Sequence, residues 1–201
     1  MSTSIEVNQK RKRFPKWLKI TSTIIIVMIV LITGSGFYLT KKSLPEIKGN
    51  LEVGLLEHNV SVIRDTKGVP HIEAKNLHDL YVAQGFVTAQ DRLFQMDLSR
   101  RQASGQLSEV IGDATVDRDS YFLTLGLRRA AEASYSKYSK EAQNVLNWYA
   151  EGVNEYIKYA KKEGKLPVEF KILQYKPTEW SAIDSLAIGK YMAFDLGGHW
   201  N

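Results

Sequence analysis

At 201 residues the chain has room for one domain of ordinary size, and 44% hydrophobic with 24% charged residues is the balance of a folded body rather than a disordered one. The formal net charge of +5 gathers in one place. Lys10, Arg11, Lys12, Arg13, Lys16 and Lys19 all precede a long apolar run, so the excess reads as a membrane-insertion signal, and nucleic acid is not indicated as a partner. There is no cysteine, which excludes disulfides, thiolate-held zinc and Cys nucleophiles and is compatible with an oxidising compartment.

Residues 1–19 form the basic leader, and residues 20–39 follow without a single charge. Twenty residues at about 1.5 Å each cross a hydrocarbon layer of roughly 30 Å, so a transmembrane helix is predicted. Lys/Arg before the run outnumber Lys41, Lys42 and Lys48 after it, which puts the leader in the cytoplasm and the remainder outside. The length favours a retained anchor in the cell membrane. Gly34, Ser35 and Gly36 keep open a cleavable signal peptide with Ile24 to Ile32 as its apolar part, and then a secreted body.

Residues 40–50, with Pro45 and Gly49, read as a linker, and residues 51–201 as the exported body. Alternating Val- and Ile-rich sequence over residues 51–75 predicts two strands joined at Lys67 and Gly68. Asn76 followed by Asp79 has the form of a helix N-cap, and Leu80, Ala83, Phe86, Val87, Leu93, Phe94 and Leu98 recur at helical spacing toward Gln102. A second helix is expected from Asp117 to Lys137. A third starts near Ser139, carries Ala142, Leu146, Tyr149, Val153, Tyr156 and Ala160 on one face, and stops at Lys161, Lys162 and Gly164. A fourth opens on a capping box of Ser181 and Asp184 and runs through Phe194.

A self-sufficient active site is not found along this chain. His58, His71, His78 and His199 fall in no metal-ligand spacing and read as structural or exposed, and phosphate-cradling fingerprints are absent. The only Gly-Ser-Gly fragment lies inside the apolar span, where a nucleophile elbow makes no sense. Ser2 would become an N-terminal nucleophile if Met1 were removed, but its place in the basic leader argues against that. Arg64 to Ile72 and Ala89 to Asp97 stand out as unusual local grammar. For each, an ordinary reading exists: a turn glycine at Gly68, a strand-start Pro70, and a solvated or ion-paired helix face for Asp91, Arg92, Arg100 and Arg101.

Taken together, RDTKGVPHIEA (Arg64 to Ala74), GFVTAQDRLFQMDLSRRQASGQLSEVIG (Gly85 to Gly112), YAEGVNEYI (Tyr149 to Ile157) and KPTEWSAIDSLAIGKYMAF (Lys176 to Phe194) resemble the α-subunit segment of the penicillin acylase family of N-terminal-nucleophile hydrolases. The resemblance covers about residues 55 to 200. It implies an α+β fold class in which this chain is the helix-rich α portion of an αββα sandwich. It also implies a precursor cut into α and β chains, with the nucleophilic serine and the oxyanion hole in the β chain. No catalytic residue is therefore assigned here.

From the same resemblance, Tyr191, Met192 and Phe194 are expected to form one wall of a pocket for the acyl group of an N-acyl small molecule, a β-lactam side-chain amide or an acyl-homoserine lactone. The competing reading makes that helix face ordinary core. Calcium is expected only in the complete family enzyme. Asp195 is the one acidic residue near the end of this helix, and no metal ligand is assigned. From other classes come a non-catalytic membrane-anchored binding protein, whose Tyr and Trp serve a partner surface, and an inactive remnant that exposes the helix faces a β chain would cover.

Overall fold

A computed structural model describes residues 16–198, so Ser2, His199 and the cluster Lys10 to Arg13 lie outside the described residues. The contacts divide the chain into an N-terminal unit ending at Lys41 and a body beginning at Lys42. The first unit is built on helix α1, Lys16–Ser43. At about 1.5 Å per residue this helix is about 40 Å long. It is long and apolar enough to cross a membrane, with its large apolar side chains from Trp17 to Leu39 exposed. A signal sequence near an N-terminus can meet the same requirement of length and composition.

In the body, strands β1 (Ser61–Arg64) and β2 (Pro70–Glu73) pair antiparallel in the register Ser61 to Glu73 and Arg64 to Pro70. Their turn is organised by Asp65, whose carboxylate accepts the Lys67 and Val69 N–H groups at 2.8 and 2.9 Å. Gly68 sits there at φ 80°, a conformation that side chains resist. The hairpin falls where the alternation placed it. Residues 51–60 do not form the expected strand. They make an irregular segment that packs Leu51 and Val53 onto the core, because its groups are taken by a turn from Leu56 N–H to Val53 carbonyl and by side chains farther on.

Helix α2, Leu77–Ser104, is capped by Asn76, whose side chain accepts the Asp79 N–H at 2.7 Å, and it ends on Gly105 at φ 67°. Helical geometry is interrupted at Arg92 (φ −146°, ψ 24°). Short α3, Ser108–Ile111, and a 3-10 turn over Asp113–Thr115 follow. The expected helix from Asp117 to Lys137 is instead two helices, α4 (Val116–Leu125) and α5 (Leu127–Tyr135). Gly126 breaks them apart at φ 74°, and the periodicity on either side of one glycine does not disclose such a break. Helix α6, Lys140–Lys162, is capped by Ser139 and closed by Lys161 and Lys162. The short α7, Val168–Ile172, was not anticipated. Helix α8, Ala182–Gly197, opens on the Ser181/Asp184 capping box, with both reciprocal bonds made.

The core lies where α2 crosses α6. Phe86, Ala89, Leu93 and Met96 of α2 meet Ala150, Val153, Tyr156 and Ile157 of α6, and Phe170 and Trp180 close the cluster. Two glycines set the distance between the helices. A Cβ on Gly85 would overlap the Tyr149 carbonyl, and one on Gly152 would overlap the Val82 carbonyl, so only glycine permits this approach. The edge-to-face pair of Phe86 and Tyr156, centroids 5.3 Å apart, fills the space beside the crossing.

Candidate functional site

Buried charge is concentrated on the second half of α2. Asp97 is buried and accepts from Arg100 Nε at 2.9 Å, from Arg101 Nε at 3.0 Å and from the Tyr175 hydroxyl at 2.9 Å. Arg100 also donates to the Thr178 and Glu179 carbonyls and stacks over the Trp180 ring at 5.2 Å. Arg101 reaches Glu109 at 2.7 Å. Asp184, the capping residue of α8, is held by Arg128 at 2.7 Å and faces Arg100 at 3.7 Å. Burial, and after it the hydrogen bond to Asp97, holds the Tyr175 phenol well above its ordinary value.

Of the two readings of Arg100 and Arg101, solvated or ion-paired, this network bears out the ion-paired one and places it in the interior. Spacing from Asp97, three and four residues on, was the sequence signal for it. Its members are bound to one another, so it fixes α2, α8 and the 173–181 loop together. Asn154 adds to that fixing by accepting the Trp180 N–H at 2.7 Å and donating to the Trp180 carbonyl at 2.9 Å.

A second knot surrounds Asp79, which is wholly buried. Its carboxylate accepts the Glu57 and His58 N–H groups at 2.9 and 3.0 Å, while His58 Nδ1 and His78 Nδ1 lie at 3.3 and 3.2 Å. Burial pulls this carboxyl upward, but the N–H donors and histidines together hold it below the usual carboxylate value. Glu57, His58 and Asp79 bring ligand-type atoms within 4.8 Å of one another. Both Asp79 oxygens are already occupied by these donors, so the cluster fits a structural knot better than a cation site. His71 instead faces Asp65 at 3.7 Å.

Arg64 clamps the hairpin to α2 with a bidentate pair to Asp91 at 2.8 and 2.9 Å and a bond to Gln90. Gln90 in turn donates to the Glu46 carbonyl, and Glu46 pairs with Lys165 at 2.6 Å, so the linker is fastened to the body.

On α8, Tyr191 and Phe194 share one aromatic group with α4. The Tyr191 ring stands 5.5 Å from Phe122, and Phe194 lies 6.3 Å from Tyr121 and 6.4 Å from Phe122. Gln102 donates to the Tyr191 hydroxyl. Met192 is not brought into this group and is exposed, as are Leu196 and Asp195 on the following turn. The Phe122 partner was not foreseen, because α4 and α8 are separated by more than fifty residues. A groove of about 510 Å³ lies elsewhere, between α2, α6 and α8. Among the described residues, no serine or histidine is set beside a base and an oxyanion site in a way that would attack an amide.

The described body is largely helical, with an aromatic group shared by α4 and the end of α8. The description of the penicillin amidase family matches residues 59–201, and the chain belongs to that family.

Individual relatives agree. The penicillin acylase 2 proenzyme of Pseudomonas sp. strain SE83 is 35% identical over 158 residues, 79% of this chain and 20% of that protein. The acyl-homoserine lactone acylase QuiP of Pseudomonas aeruginosa is 37% identical over 154 residues, 77% of this chain and 18% of that protein. Among solved structures, a thermostable penicillin G acylase from Alcaligenes faecalis matches with a TM-score of 0.64 and 31% identity, over 70% of this chain and 75% of that chain. The chain spans about a fifth of the length of the curated relatives it matches.

Proposed function

We propose that this chain is the α portion of an acylase that hydrolyses the amide of an N-acyl small molecule, either a β-lactam side chain or an acyl-homoserine lactone. In this reading the attacking serine, its own amine as base and the oxyanion donors belong to a β chain of the same precursor. One observation carries the proposal. The chain matches three quarters of a separate chain in the solved penicillin G acylase but only a fifth of the proenzyme, as expected if it corresponds to a short chain released from a longer precursor.

The acyl wall is assigned to Tyr191, Met192 and Phe194. Tyr191 and Phe194 supply aromatic surface continuous with Tyr121 and Phe122, and Met192, outside that group, supplies an exposed, adaptable apolar side chain on the same turn of α8. Calcium, where the complete enzyme takes it, would find in the exposed Asp195 the acidic residue of the last turns of α8. Residues 20–39 anchor the protein in the cell membrane with the body outside.

The test is co-expression of the chain with the coding sequence downstream of residue 201, followed by assay of phenylacetate release from a penicillin and of fatty-acid release from an acyl-homoserine lactone. Hydrolysis by the pair and none by the chain alone supports the reading, and the preferred substrate names the acyl class. No hydrolysis by a processed pair overturns it. Extraction of membranes at alkaline pH, with protease added to intact cells, tests the anchor and its orientation.

A further inference from the structure

The linker is not a free tether. Ser43 is buried although Lys42 and Leu44 beside it are exposed. Three residues on, the Glu46 carbonyl accepts from Gln90 at 2.9 Å and the Glu46 carboxylate accepts from Lys165 at 2.6 Å. The Tyr159 hydroxyl lies 3.5 Å from the same carboxylate oxygen. These bonds lay residue 46 against the C-terminal end of α6.

The fastening leaves apolar side chains facing outward. Leu44 is 62% exposed and Ile47 54%, while Leu51 and Val53, a few residues later, are packed on the core. Beside them, Lys42 and Lys48 of the linker and Lys161 and Lys162 of the last turn of α6 are exposed, and among the described residues none of these four has an acidic partner. Lys165, by contrast, is neutralised by Glu46. The other exposed acids in these two stretches are Glu52 and Glu163, so cations are in excess.

Apolar side chains flanked by lysines fit the boundary of a bilayer, where the former enter the acyl region and the ammonium groups meet phosphates. Chain length brings this surface to such a boundary. From Lys42 to Glu46 the backbone reaches at most about 14 Å, so a span over residues 20–39 keeps the fastened Glu46 close to the headgroups.

We propose that Leu44 and Ile47, with Lys42, Lys48, Lys161 and Lys162, form a docking face for the anionic lipid headgroups of the membrane that residues 20–39 enter, holding the body against the bilayer. The inference rests on the anchor assigned under the proposed function.

The chain has no cysteine, so a single introduced one reports from one place. Asn50→Cys, Glu163→Cys and Lys140→Cys, all at exposed positions and the last about 30 Å from Lys162 along α6, are each labelled with a fluorophore. The labelled chain, co-expressed with its downstream coding sequence, is reconstituted into phosphatidylcholine vesicles with or without phosphatidylglycerol. A quencher carried on the lipid headgroup should act severalfold more strongly at positions 50 and 163 than at 140 when phosphatidylglycerol is present, and the difference should shrink without it or at high salt. Lys161→Gln and Lys162→Gln should each lower the ratio of docked to undocked protein about fivefold, while Arg at both positions preserves it. Circular dichroism of these variants should match the parent, since both side chains are exposed. Protein that resists alkaline extraction but shows equal quenching at the three positions, or quenching that ignores phosphatidylglycerol and the Gln variants, overturns the inference and leaves the anchor standing. Release of the protein by alkaline extraction overturns both.

Discussion

Asp97 shows how much of this protein hangs on single buried charges. Removing it leaves Arg100 and Arg101 buried without their shared carboxylate, and breaking a buried pair in this way costs about 3–5 kcal/mol. Asp97→Ala should therefore lower the thermal midpoint of the detergent-solubilised chain severely, measured by circular dichroism, whereas Asp91→Ala on the more exposed Arg64 pair should cost far less. Asp79 carries a pH dependence. Its folded-state value lies below the unfolded one, so its contribution is fully present above the unfolded value of about 3.9 and is lost as the pH falls through the lower folded value. Stability should decline across that acidic window, and Asp79→Asn should flatten the decline. Tyr156 acts at the other end. Burial pushes its phenol up to about 12, so its contribution holds below an unfolded value of about 10 and is lost as the pH rises toward 12. Tyr156→Phe should flatten the alkaline limb of the same curve.

At the scale of elements, the crossing of α2 and α6 is set by Gly85 and Gly152 rather than by large side chains. Gly152→Ala forces the helices apart against the Val82 carbonyl, an overpacking cost of about 1–3 kcal/mol that should appear as a lower denaturant midpoint with an unchanged slope. Ala at an open position such as Gly189 should not show that cost, because nothing lies near its added Cβ. The element starts were legible because caps are local chemistry: Asn76, Ser139 and Ser181 each hold the N–H three residues on. The split at Gly126 and the short α7 were not legible, since helical periodicity looks the same on either side of a break and five residues are too few to show a period.

For the whole molecule, the decisive feature is the apolar surface that stays open along α6 and at Met192 and Leu196. On the proposed function, the chain alone should show no amidase activity and should tend to associate through these faces, measured by light scattering after detergent dilution. Co-expression with its β portion should suppress both the association and the inactivity.

The sequence by itself determined the apolar span, the hairpin turn, the capped helices and the family, because each is written in contiguous residues whose chemistry acts over one or two turns. The tertiary structure alone decided that Arg100 and Arg101 are interior, that Asp79 gathers two histidines and a distant loop, that Tyr191 rests on Phe122, and that half of the α6 stripe is left uncovered. Each of those depends on which distant segment comes to lie beside which. A local pattern does not carry that information, because a helix face that will be buried and one that will be left open have the same period.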